Sequence, residues 1–169
     1  MLFSKREAVV KRILIVEDEP LVAFDNETMI TDAGYTVVAT VDRYADAVDT
    51  LDAQALPADD PDDEEARGVD LILSDITLAG ERSGLDLARE AKRRGVPVLF
   101  ATANPPSEAE QLGIGHLLKP YNERTLKAAL KAVDRFLSGR RPKGPEGMVF
   151  YTVDTTGAET EADEADDRE

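Results

Sequence analysis

Short apolar runs, each halted by polar residues, punctuate the chain between residues 11 and 138. Ile13-Leu14-Ile15-Val16 stops at Glu17-Asp18-Glu19-Pro20. Tyr35 to Val41 is rich in β-branched residues. Val69-Asp70-Leu71-Ile72-Leu73-Ser74-Asp75 follows Gly68 and ends on a carboxylate. Val96 to Ala101 ends at Thr102, and His116-Leu117-Leu118 ends at Lys119-Pro120. Runs of this length bounded by turn formers read as strands, and those without apolar–polar alternation as strands buried on both faces.

Helical spacing fills the intervals. Behind Pro20, which suits a first helical turn, Val22, Met29, Ile30 and Ala33 recur, and Gly34 stops the helix. Val41, Ala45, Val48, Leu51 and Ala55 predict a second helix. Leu85, Leu87, Ala88 and Ala91 predict a third, from about Leu85 to Arg94. Asn122 caps a last one carrying Leu126, Leu130, Val133 and Leu137. Strands alternating with helices predict an α/β fold: a doubly wound, five-stranded parallel sheet with helices on both faces. Between Thr102 and Lys119 the helix must be short. Asn104-Pro105-Pro106 cannot start one, Gly113 and Gly115 break it, and Ser107 to Leu112 spans under two turns. So short a helix is marginal, and this stretch is expected to exchange between ordered and disordered forms.

The pattern divides the chain into an N-terminal extension (1–10), one domain (11–138) and a tail (139–169). Pro57 to Gly68 holds six acids and two prolines and reads as an exposed loop. The tail starts with Gly, Pro and basic residues, continues with the apolar piece Met148 to Val153, and ends acidic. Eight acids and one Arg between Asp154 and Glu169 predict disorder there. The apolar piece has two uses open to it: another strand, or a docking segment for a partner.

Charge and composition narrow the function. A net charge of −15 argues against nucleic acid and anionic membrane surfaces as partners. No apolar run approaches the roughly 18 residues of a spanning helix, and Met1 to Lys11 lacks a signal core. Cysteine is absent, which excludes thiolate metal sites and fits a cytoplasmic location; His116 is the single histidine.

In a doubly wound sheet, the carboxyl ends of the strands converge on one crevice. That brings together Glu17, Asp18, Asp75, Thr102 and Lys119. Asp75 alone would pass for a solvated strand-end acid. Three clustered carboxylates, however, repel unless a cation joins them, and oxygen-only ligands suit Mg²⁺. Such a metal beside Lys119 and a hydroxyl is equipped for phosphoryl transfer, with a carboxylate as nucleophile.

Ile13 to Pro20, Leu71-Ile72-Leu73-Ser74-Asp75, Thr102 and Leu118-Lys119-Pro120 together resemble the receiver domain of two-component response regulators, across residues 11 to about 138. The resemblance implies the strand order 2-1-3-4-5, with the fourth helix shortened here. It implies Asp75 as phosphoacceptor, served by a phosphohistidine on a sensor kinase or phosphotransfer protein. It further implies Mg²⁺ held by Asp18 and Asp75, by Glu17 through water, and by the Thr77 backbone carbonyl. Lys119 and Thr102 would contact the phosphoryl group, and a cis Lys119–Pro120 bond would aim the lysine. Phe100-Ala101-Thr102-Ala103-Asn104 also resembles the signature of the FAT GUY subgroup of alphaproteobacterial receivers. His116 stands where receivers carry a switching Tyr or Phe, and Ala79 where they carry Pro.

These features predict a stand-alone receiver that is not an enzyme beyond its own phosphorylation and dephosphorylation, signalling through an unidentified protein target. The alternative is a degenerate receiver that binds proteins independently of phosphate. An aspartyl phosphatase of the haloacid-dehalogenase type would place an Asp where Thr77 stands. A nucleotide-binding protein would place a Gly-rich loop, not three acids, after the first strand.

Overall fold

Alternation within each apolar run decides how this sheet is covered. In a computed structural model that describes residues 8–55 and 68–151, strands β1 (Arg12–Val16), β2 (Thr36–Val41), β3 (Leu71–Ser74), β4 (Val98–Thr102) and β5 (Gly115–Leu118) run parallel. Ile13, Ile15, Leu71, Leu73, Leu99 and Ala101 turn to one face, and Leu14, Val16, Ile72, Val98 and Phe100 to the other. Both sets are buried, so the three central strands β1, β3 and β4 are apolar nearly throughout, while the flanking β2 and β5 are less buried. Helices α1 (Pro20–Asp32) and α4 (Glu123–Leu137) cover the first face; α2 (Tyr44–Ala55) and α3 (Gly84–Arg93) cover the second.

The sheet has six strands rather than the five expected from the sequence. Met148–Phe150 forms β6, antiparallel to β5, giving the order β2-β1-β3-β4-β5-β6. The apolar piece in the tail therefore adds a strand, and the sheet runs beyond residue 138. The expected run of five helices is also corrected. Among the described residues there are four α-helices, and the shortened helix between β4 and β5 is a 3-10 helix, Ser107–Gln111. Two prolines before it and Gly113 after it leave no room for a second turn. It is nonetheless anchored, because Ala109 is fully buried.

Two helix faces differ from their predicted stripes. In α2 Ala47 and Leu51 are buried and Val48 packs beside them, while Ala45 and Ala55 are exposed and Val41 lies in β2. In α1 the buried stripe is Ala23, Asn26 and Ile30, leaving Leu21 81% and Phe24 67% exposed. The Pro20 start, the Asn122 cap (accepting from Thr125 N–H at 2.8 Å) and the cis Lys119–Pro120 bond agree with expectation. No helix among the described residues is long and apolar enough to cross a membrane. The acidic loop (Pro57 to Arg67), residues 1–7 and the acidic end from residue 152 lie outside the described residues.

Candidate functional site

β1 and β3 are neighbours, yet the chain leaves them in opposite directions, toward β2 and toward β4. Their carboxyl ends therefore border an open crevice, the usual ligand site of such sheets. The backbone sets the floor: Asp75 N–H donates to the Val16 carbonyl at 3.0 Å, which fixes Asp75 beside Glu17 and Asp18. A cleft of about 390 Å³ is lined by Asp18, Asp75, Thr77, Thr102 and Lys119 among others. Glu17 lies at its base, 3% exposed. Thus the candidate site residues except His116 converge: Glu17, Asp18, Asp75, Thr102 and Lys119 from their strand ends, and Thr77 where the resemblance implied it.

Glu17, Asp18 and Asp75 each place a carboxylate oxygen within 4.8 Å of the others. Lys119 Nζ donates to Glu17 Oε2 at 2.6 Å and to Asp75 Oδ2 at 2.9 Å. Burial works against the Lys119 ammonium, but the hydrogen bonds to Glu17 and Asp75 outweigh it and raise its pKa. Burial likewise pushes the Glu17 carboxyl above its usual range, despite the nearby Lys119. Three carboxylates against one ammonium make the cluster formally acidic, and its metal-ligating atoms are all hard oxygens. That donor set fits Mg²⁺ and would suit neither a soft metal nor an anion. Asp75 Oδ1 accepts from Ile76 N–H at 2.6 Å, leaving the edge of its carboxylate toward the cleft. The hydroxyl of Thr102, a residue 6% exposed, accepts from Asn104 N–H at 3.3 Å.

Three supporting residues escaped the sequence reading. Gly84 begins α3 hard against the Asp75 peptide: a Cβ there would lie 1.9 Å from the Asp75 carbonyl oxygen. Its N–H donates to the Ile76 carbonyl at 2.7 Å, so α3 holds the loop that carries Thr77. Tyr121, just after the cis bond, donates to buried Asn26 Oδ1 at 2.8 Å and ties the Lys119 turn to α1. Burial pushes the Tyr121 hydroxyl up to about 12. Asn26 had a legible signal: it sits three after Ala23 and four before Ile30, a polar residue on a buried stripe.

His116 does not face the cleft's acids. It pairs in register with Phe100 on one side and Val149 on the other, and its Nδ1 lies 2.7 Å from the Tyr151 hydroxyl. Burial lowers its pKa, against a smaller pull from Glu110. The unfolded chain therefore binds this proton more readily than the folded one. Stability from His116 should be complete above its ordinary value near 6.5 and be lost as pH falls through the lowered folded value. Melting temperatures between pH 8 and 5 should fall more steeply in the parent than in His116→Gln. Parallel curves would count against a neutral, Tyr151-bound imidazole.

Residues 13–131 match the response regulator receiver domain model. The phyllosphere-induced regulator PhyR of Methylorubrum extorquens is 37% identical over 94 residues, covering 55% of this chain and 31% of that protein. The transcriptional regulatory protein PdtaR of Mycobacterium tuberculosis is 30% identical over 136 residues, covering 76% of this chain and 60% of that one. The crystal structure of the response regulator PhyR from Brucella abortus superposes with a TM-score of 0.60 at 28% identity, covering 79% of this chain and 51% of the other. The chain thus spans only a third to three fifths of the length of these relatives. With the family model spanning β1 into α4 and the acidic crevice at its strand ends, the chain belongs to the response regulator receiver domain family.

Proposed function

We propose that this receiver accepts a phosphoryl group on Asp75 from the phosphohistidine of a sensor kinase or phosphotransfer protein. It then signals in the cytoplasm by contact with a protein target, and catalyses nothing beyond its own phosphorylation and dephosphorylation. The observation that carries this reading is the placement of the Asp75 carboxylate: at a strand end, within 4.8 Å of two further acids and 2.9 Å from Lys119.

In the reaction an Asp75 oxygen attacks phosphorus, the P–N bond breaks, and the protonated imidazole leaves as the neutral ring. Mg²⁺, held by Asp18, Asp75 and the Thr77 backbone, and by Glu17 through water, would offset charge on the phosphoryl oxygens. Lys119 offers a second cation to the same oxygens, and its bond to Glu17 keeps it aimed there when Asp75 is esterified. Thr102, at the end of β4, offers a hydroxyl across the cleft.

The test is incubation with acetyl phosphate and Mg²⁺ followed by intact mass measurement. A gain of one phosphoryl group that disappears when Mg²⁺ is chelated is the expected result. No gain would favour a phosphate-independent interaction module.

A further inference from the structure

Without β6, β5 would be the open edge of the parallel sheet. The cover is short, only three paired residues, but it is held by side chains. The Phe150 ring stacks on Phe136 of α4, with centroids 4.6 Å apart. Tyr151 is buried in the cluster that includes Ala109 of the 3-10 helix, and its N–H donates to the Ile114 carbonyl at 2.9 Å. Its hydroxyl reaches His116. The edge is shaped for a backbone rather than a side chain: a Cβ on Gly115 would lie 2.3 Å from the Val149 carbonyl oxygen.

The two hydrogen-bond partners of Tyr151, Ile114 and His116, stand on a segment that begins or ends in the acidic crevice. His116 and Lys119 share one stretch of chain, and Lys119 N–H donates to the Thr102 carbonyl at 3.0 Å. Ala109 and Ile114 lie in the connection that starts directly after Thr102. That connection has little structure of its own, a single 3-10 turn flanked by prolines and glycine, so Tyr151 pins it from outside.

We propose that β6 is a displaceable cover of the β5 edge, docked while Asp75 is free and released when Asp75 carries a phosphoryl group. The inference rests on the receiver reading above. A phosphoryl group brings three oxygens into a crevice where Lys119 already bonds Asp75 and where the Thr102 hydroxyl accepts from Asn104 N–H. Drawing Thr102 and Lys119 toward those oxygens shifts the two ends of the connection on which Tyr151 rests. A short strand with one buried tyrosine is then lost before the longer parallel ladders. Release would free both the β5 edge and residues 103–115, so the two should respond together.

The test is amide exchange on the full chain, with and without Mg²⁺ and beryllofluoride, a phosphoryl mimic whose binding is read separately by fluorine NMR. The amides of Tyr151 and Leu118, which donate to Ile114 and Gly147 across the β5–β6 boundary, should exchange about tenfold faster or more when the mimic is bound. In Gly115→Ala and in Tyr151→Ala they should be fast in both states, with β1 and β3 amides still protected. By linkage, both variants should bind the mimic more tightly than the parent, by about threefold or more. If the mimic binds and the two amides stay equally protected, β6 is a fixed strand and the proposal is wrong while the receiver reading stands. Unchanged mimic affinity in both variants would equally overturn it. If the mimic does not bind at all, the receiver reading fails and this proposal falls with it.

Discussion

Asp75→Asn is expected to take up no phosphoryl group from acetyl phosphate while remaining folded. An amide oxygen is not a competent nucleophile toward phosphorus at neutral pH, and among the described residues no other carboxylate occupies the same place in the cleft. Asp18 and Glu17 lie nearby, but Glu17 is buried and bonded to Lys119. The fold should tolerate the change, because an amide oxygen can still accept from Ile76 N–H. One of three mutually repelling carboxylates is also removed. The variant should therefore melt no lower than the parent in the absence of Mg²⁺. Labelling of Asp75→Asn to the parent level, by intact mass, would show that another residue is the acceptor.

Gly84→Ala should impair both folding and uptake, although residue 84 would touch neither metal nor phosphate. A Cβ 1.9 Å from the Asp75 carbonyl oxygen cannot be relieved by a rotamer change; backbone must move. Overpacking of this kind costs about 1–3 kcal/mol. The movement falls on the peptide of the acceptor itself, where a displacement of roughly 1 Å lowers rates about 100-fold. Ser83→Ala separates the two effects. It removes the hydroxyl half of the capping box, the bond from Asp86 N–H, at a cost of about 1 kcal/mol, yet keeps the backbone half and leaves the close contact unchanged. Ser83→Ala should be less stable but still phosphorylated at the parent rate. If Gly84→Ala were labelled at that rate too, the α3 contact would have no part in positioning Asp75.

The fold class and most of the site were legible because each was written in consecutive residues. An apolar run that ends in Glu17-Asp18, Asp75, Thr102 or Lys119 specifies both a strand and what stands at its carboxyl end. Parallel connections then force those ends onto one side. The helices α3 and α4 were equally plain, since their apolar and polar faces are sharply divided and their caps are local.

What tertiary structure alone decided are the contacts between residues far apart in sequence. Met148–Phe150 is apolar in any setting; only the open edge of β5, the missing Cβ of Gly115 and the ring of Phe136 make it a sixth strand. The connection from Thr102 to Lys119 looks too weak to fold by itself, and it is held by Tyr151, some 40 residues away from Ala109. Asn26 stands out as a polar residue on a buried stripe, but its partner Tyr121 is named only when 95 residues of separation close into one 2.8 Å bond. Local pattern determines which element forms, because backbone geometry and burial period are local. Which elements meet, and how closely, depends on the packing of surfaces that no single stretch of sequence contains.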